Sequence, residues 1–248
     1  MTPNKYPIIE PPGFHECRGK PRNRANFGIQ EKPEIPVYVF DSHRFAFYAW
    51  YKFAKKYNNY GLSLISIDWH QDLSGYDKNN LEILEKSSGE DIDCFCCQYL
   101  NAQNDTHIHA AAYWNLIGDI YLLCKSTDEP QKSFFDKEGK EHTIHFTNDL
   151  NIFLEILKNS EEKNILLDID LDYFTNLEES EFEDIFTPLN EAEIKGQLNI
   201  LQEWFLPRLR GITIAREPMF CGSIKNSNYI YNLVSEALFE NDLVPIYR

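Results

Sequence analysis

NILLDIDLDYF, residues 164 to 174, begins as an unbroken apolar strand and ends in aspartates at alternate positions. An apolar run without polar alternation belongs to a strand buried on both faces, as in parallel sheets covered by helices. Extended backbone sends alternate side chains to one side, so Asp168 and Asp170 share a face. SLISIDWHQD, residues 63 to 72, repeats the device, running from an apolar strand into Asp68, His70 and Asp72. PVYVF, residues 36 to 40, ends in Asp41-Ser42-His43. Three strands that stop in polar, metal-ligating residues point to one shared edge, because parallel sheets bind ligands beyond the carboxyl ends of their strands.

Around these strands, helical patterns cover residues 43–57, 91–100, 107–116, 149–157, 191–205 and 228–239. Further strands are expected at 119–124 and 211–215, and a hairpin turning at Glu138-Gly139 within residues 132–146. Strands alternating with helices predict a three-layer α/β/α fold around a mainly parallel sheet. Residues 1–35 form a Pro-rich arm, since the first 36 residues hold seven of the 12 prolines. Residues 36–248 read as a single catalytic domain, with no repeat, low-complexity tract or linker.

The chain has 248 residues, with 24 Lys plus Arg against 39 Asp plus Glu, a net charge of -15. At 43% hydrophobic it has the composition of a core-forming protein. The charge and the lack of a basic stripe argue against nucleic acid or an anionic membrane as partner. No run approaches the roughly 18 apolar residues of a membrane span. The N-terminus has the pattern of neither a signal peptide nor a transit peptide, so a cytoplasmic location is expected. Six cysteines fit that compartment as thiols, and Cys94, Cys96 and Cys97 lack the paired spacing of a zinc ribbon.

Buried carboxylates repel one another unless a cation neutralises them. Asp68, Asp72, Asp168 and Asp170 with two neutral imidazoles, His43 and His70, offer a charge that matches two divalent ions. Oxygen donors with some imidazole favour Mn2+. Taken singly, Asp168 or Asp170 could belong to an ion pair and Asp72 could cap a helix.

With these residues in view, SIDWHQD and LLDIDLD resemble the two metal motifs of the ureohydrolase superfamily, which includes arginase and agmatinase. Trp69 and the DIDLDYF ending look closer to a small ureohydrolase-like family containing the peptide arginases of ribosomal-peptide biosynthesis. The resemblance spans about residues 36 to 222 and rests on about twenty positions. It implies two Mn2+ per chain, with His43 as first ligand and Asp68 and Asp168 between the ions. Asp72 would sit on the first ion, and His70 and Asp170 on the second. A register using Asp170 with Asp172 stays open, and no glycine pair precedes His43.

The resemblance further implies hydrolysis, by a metal-bridging hydroxide, of the guanidinium of arginine in a peptide or precursor peptide, leaving ornithine and urea. Glu217, at the end of the strand GITIA, would hold the guanidinium, and Asp72 would transfer protons. His109 is the expected proton shuttle, with His107 the alternative. Asp172 and Ser74 fall on the substrate's side. Ser74 stands where free-arginine enzymes carry an asparagine, which favours a peptide. Residues 173–194 contain seven acids and no Lys or Arg, a solvated face that could also steer a basic peptide. A homo-oligomer stays open.

Rival readings explain fewer residues. A one-zinc deacetylase would not need so many carboxylates. A calcineurin-like phosphoesterase would require a G-N-H-[DE] motif, and an aspartate-nucleophile phosphatase leaves DWHQD unexplained. Another small guanidino or amide substrate remains, as does a non-catalytic acidic scaffold that binds a basic partner.

Overall fold

The computed structural model describes residues 11, 13–22, 34–75, 78–86, 92–100, 105–126, 128, 130–178, 185–239 and 243–245. In chain order the strands are β1 (His15–Gly19), β2 (Ile35–Phe40), β3 (Leu62–Asp68), β4 (Ile117–Cys124), β5 (Ser133–Phe135) and β6 (Glu141–Thr147). Then come β7 (Ile165–Asp170), β8 (Thr175–Glu178), β9 (Ile185–Pro188), β10 (Leu209–Ala215) and β11 (Val244–Pro245). The helices are α1 (Ala46–Tyr57), α2 (Lys78–Lys86), α3 (Ile92–Gln98), α4 (His107–Tyr113), α5 (Leu150–Asn159), α6 (Glu191–Phe205) and α7 (Ile224–Leu238).

Nine strands form one sheet in the order β11-β1-β2-β10-β7-β3-β4-β6-β5, and β8 and β9 make a separate hairpin. The pairs from β2 through β6 are parallel. The outer pairs β1–β2, β1–β11 and β5–β6 are antiparallel. Every residue of β3 and β7 is buried, as strands of mainly apolar sequence in a covered parallel sheet require.

Apolar side chains of α1, α3 and α4 fill one face of the sheet, with Phe47, Trp50, Phe95 and Ile108 at its centre. Those of α5, α6 and α7 fill the other, around Phe153, Leu198, Phe205 and Val234. The chain is thus a three-layer α/β protein with a mainly parallel sheet.

Several expectations change in detail. Residues 15–19, placed in the arm, form β1 and pair with β2. His43–Phe45 is a 3-10 turn ahead of α1, closed by Phe45 N–H donating to the Ser42 carbonyl at 3.0 Å. Within the acidic stretch, residues 175–178 and 185–188 pair as strands, while Glu179, Glu181, Glu183 and Asp184 lie outside the described residues. Cys94 belongs to α3, and the described cysteines are unbridged.

Strand order fixes where a ligand can sit. From β3 the sheet grows through β4 to β6, and from β7 it grows the other way to β10. The β3/β7 seam is therefore the topological switch point, where a crevice opens beyond the strand ends. The neighbouring β3/β4 pair starts tightly, because a Cβ on Gly118 would lie 2.5 Å from the Gly61 carbonyl oxygen. Gly118→Ala should destabilise the protein by about 1–3 kcal/mol through overpacking. A Cβ on Gly196, inside α6, meets nothing within 4 Å. Gly196→Ala should stabilise by about 0.5–1 kcal/mol. Chemical denaturation of both variants checks this, and shifts of the same sign would discard the close approach.

Candidate metal centre

Three strand ends and one helix start converge at the switch point. β3 delivers Asp68 and the residues after it, β7 delivers Asp168 and Asp170, and β2 leads into His43. His107 opens α4 behind them. Asp68, Asp72, Asp168, Asp170, Asp172, Glu217, His43 and His107 are all buried. Asp41, by contrast, turns outward at 50% side-chain exposure toward Arg216, 3.6 Å away.

The register of β7 between β3 and β10 sets Asp168 opposite Ser66 on one side and Thr213 on the other. Thr213 Oγ1 donates to Asp168 Oδ1 at 2.6 Å, and Ser66 Oγ donates to Oδ2 at 3.2 Å. Trp50 Nε1 donates to Thr213 Oγ1 at 3.3 Å, so the chain of contacts begins on α1. Asp168 Oδ2 also lies 2.8 Å from His43 Nε2.

That contact decides which way the imidazole points. With Nε2 on Asp168, His43 Nδ1 faces Asp72 at 2.9 Å, Asp170 at 3.0 Å and Asp68 at 3.3 Å. A metal-binding histidine commonly hands its other ring nitrogen to a carboxylate in this way. Asp168 thus sits among protein hydrogen-bond donors and orients His43, while Asp170 lies with the carboxylates that converge on Nδ1.

A second group lies further out. His70 Nδ1 is 3.4 Å from Asp172 Oδ2, and its side chain is 49% exposed. Asp172 Oδ1 accepts from Trp69 N–H at 3.2 Å, and Asp68 Oδ1 accepts from His70 N–H at 2.7 Å. Among the described residues, the sets His43–Asp68–Asp170, Asp68–His70–Asp172 and His43–His107–Asp168 each bring ligand atoms close enough to hold one ion. The first two share Asp68, whose buried Oδ2 has no hydrogen-bond partner among the described residues. An orphaned carboxylate oxygen amid further carboxylates and imidazoles suits a divalent cation.

The protonation pattern has the same cause. Burial pushes the carboxyls of Asp72 and Asp170 well above their usual range, with Asp68 and Asp172 respectively adding repulsion. Burial raises Asp68 as well, against the pull of the His43 imidazole 3.3 Å away. Burial opposes a charged His43, but Asp168 and Asp170 outweigh it and hold its pKa well above normal. The hydrogen bond to Asp172 lifts His70 to about 9.

Glu217 comes to the same place after β10. Its Oε1 accepts the His43 backbone N–H at 2.5 Å, and burial pushes its pKa up to about 7. Glu217 and Asp72 both adopt left-handed backbone, with φ of 38 and 53. Non-glycine residues are held there only by surroundings that over-determine them, a situation that clusters at functional sites.

The remaining expected residues fall as follows. His107 Nδ1 lies 3.7 Å from Asp72 Oδ2, and its ring centroid is 4.3 Å from that of His43. His109 lies elsewhere, with its ring edge-on to Phe134 at 6.0 Å and its pKa lowered by burial. Two helical positions rotate a side chain by about 200°, so only one of the pair can reach the cluster. Asp172, expected on the substrate's side, joins the ligand groups. Ser74 is exposed at the rim, where its N–H donates to the Asp105 carbonyl at 2.8 Å.

Sequence reading passed over Ser66, Thr213 and Trp50, which brace Asp168. Ser66 and Thr213 did leave a signal, as polar residues flanked on both sides by isoleucine within strands.

The chain matches no protein-family model and no curated relative. Among solved structures it is similar to the proclavaminate amidino hydrolase of Streptomyces clavuligerus, at 11% identity and a TM-score of 0.45. That match covers 81% of this chain and 63% of the hydrolase, so the chain spans under two thirds of its length. It is also similar to the arginase of Helicobacter pylori, at 16% identity and a TM-score of 0.42, covering 80% of this chain and 73% of that one. The site is read from its own geometry.

The metal-free site makes stability depend on pH. Glu217 folded titrates near about 7 against 4.5 ordinarily, and His70 near about 9 against 6.5. Asp68, Asp72, Asp170 and His43 shift the same way. The folded chain therefore binds more protons than the unfolded chain, and stability falls as pH rises through this window. A metal competes with those protons, so its stabilising effect grows over the same range. Thermal unfolding from about pH 5 to about pH 9, with chelator or with Mn2+, should show falling midpoints without metal and a widening gap with it. Flat or rising chelator midpoints would refute this account.

Proposed function

We propose that this protein is a manganese-dependent hydrolase that converts arginine within a peptide to ornithine and releases urea. The observation that carries the reading is the pair of donor groups that share Asp68 beside a buried glutamate. His43, Asp68, Asp72 and Asp170 would hold one ion, and Asp68, His70 and Asp172 the other, with Asp168 orienting His43. Divalent metal bound there would lower the pKa of water and so supply a nucleophile at neutral pH.

The protein's own groups do the rest. Glu217, fixed by the His43 backbone, offers a carboxylate to the planar guanidinium, which such a group can accept bidentately. An arriving cation favours the ionised carboxylate, offsetting the burial that raises its pKa. As the oxygen of water bonds to the guanidinium carbon, Asp72 takes up the proton that water gives. The same proton passes to the side-chain nitrogen as its bond to that carbon breaks, and the remaining hydroxyl proton passes to the freed amine, so that an ammonium and urea leave. His107, 3.7 Å from Asp72, continues the path along which protons are exchanged between turnovers.

Features of the rim support a peptide rather than a free amino acid. The site opens on the half-exposed His70, whose ring lies 5.8 Å from that of Phe220. Met219 at 88% and Ile224 at 66% exposure leave apolar surface on the same loop and helix start. The residues flanking a peptide arginine can use such a surface. Glu178, Glu191 and Glu193, all exposed, add negative charge for a basic peptide.

Mass spectrometry of an Arg-containing peptide incubated with Mn2+-loaded protein should show loss of one carbon, two nitrogens and two hydrogens. No such loss on peptides or small guanidines, with metal bound, would sink the proposal. Asp170→Asn should abolish both metal uptake and turnover while the far-ultraviolet circular dichroism stays native. Asp168→Asn should cost about 10–100-fold in metal affinity, as for a residue that orients a ligand. Complete loss of metal in Asp168→Asn with a harmless Asp172→Asn would instead place Asp168 among the ligands.

A further inference from the structure

Lys125 follows β4 directly and is the lysine that reaches the two aspartate motifs. Its backbone N–H donates to the Asp68 carbonyl at 3.3 Å, and Ser126 N–H donates to the Trp69 carbonyl at 3.1 Å. The Cys124 thiol donates to the same Trp69 carbonyl at 3.2 Å. From there the side chain crosses toward the end of β7. Its ammonium lies 4.4 Å from the Trp69 ring centroid, 5.2 Å from that of Tyr173, and 2.5 Å from the Thr175 carbonyl oxygen.

Trp69 stands between Asp68 and His70, and Tyr173 follows Asp172. The ammonium is therefore lodged between the two rings whose chain neighbours are Asp68, His70 and Asp172, and Asp172, which belongs to the outer group and not to the inner one, is the site aspartate whose charge pulls on it. Burial lowers the Lys125 pKa to about 8 against the pull of Asp172, so the side chain is still largely charged at neutral pH. A neutral side chain could fill the gap between two rings without that cost. The retained charge calls for an electrostatic role.

We propose that Lys125 is a positioning residue whose fixed charge makes the two cation positions unequal, weakening the Asp68–His70–Asp172 position relative to the His43–Asp68–Asp170 position. The inference rests on the metal-binding reading above. It gives the site an order of filling: the inner position loads first, and the outer one fills only at higher free metal.

Mn2+ alone, titrated into metal-free protein near neutral pH and followed by calorimetry and electron paramagnetic resonance, tests this. Wild type should take up two ions in separate steps, with signals of isolated Mn2+ up to one equivalent and spin-coupled pairs only beyond it. Lys125→Met keeps the stem between the rings but removes the charge. It should tighten the second step roughly tenfold, the size expected when one charge no longer faces a divalent ion through a water-like medium. Lys125→Arg should keep the wild-type spacing of the two steps. Coupled pairs below one equivalent in wild type would overturn the inference even if Lys125→Met failed to fold. So would Lys125→Met with an unchanged ratio or with both steps weakened alike, which is how a simple strut behaves. Failure of wild type to bind Mn2+ at all would instead remove the metal-binding reading.

Discussion

The structure turns on repulsion among carboxylates placed together out of water. Asp68, Asp72, Asp168, Asp170, Asp172 and Glu217 are buried around His43. Gathering such groups is costly unless hydrogen bonds, imidazoles or a cation offset their charge. The protein supplies the first two unevenly. Asp168 receives hydroxyl donors from both neighbouring strands, whereas Asp68 Oδ2 receives none among the described residues. In the proposed assignment, that imbalance separates the carboxylate that orients from the carboxylates left for an ion.

The sheet makes the arrangement possible. Because β7 lies between β3 and β10, Asp168 has a hydroxyl-bearing residue opposite it on each side. Because the strand order diverges at the β3/β7 seam, the residues past those strand ends line a crevice instead of packing under a crossover. Trp50, on a helix of one outer layer, reaches Thr213 and through it Asp168. The position of His43 thus depends on packing well removed from the crevice.

Much of this was legible in the chain. The apolar runs before Asp68 and Asp168 announced buried parallel strands, and alternate spacing announced which aspartates share a side. His43, Asp68, His70, Asp72, Asp170 and Glu217 do meet. What could not be read was whatever depends on register between distant strands. Ser66 and Thr213 become donors to Asp168 only once the three strands align, so the bracing of Asp168 could not be foreseen. The choice between His107 and His109 depends on how α4 is rotated, and a seven-residue helix carries too little periodicity to fix that. β1 escaped notice because a five-residue strand in a Pro-rich stretch has no apolar run to mark it.

The contacts that define the centre join residues far apart along the chain. His43 meets Asp168 across 125 positions and Glu217 across 174, and Trp69 meets Asp172 across 103. Contacts of that span form only after long loops have closed, so they belong to the late stages of folding. A chain still being synthesised, or one only partly collapsed, holds its aspartates in separate solvated segments with little hold on a divalent ion. Capture of an ion by the proposed centre would thereby be deferred until the sheet is complete, and a bound ion would certify a finished fold.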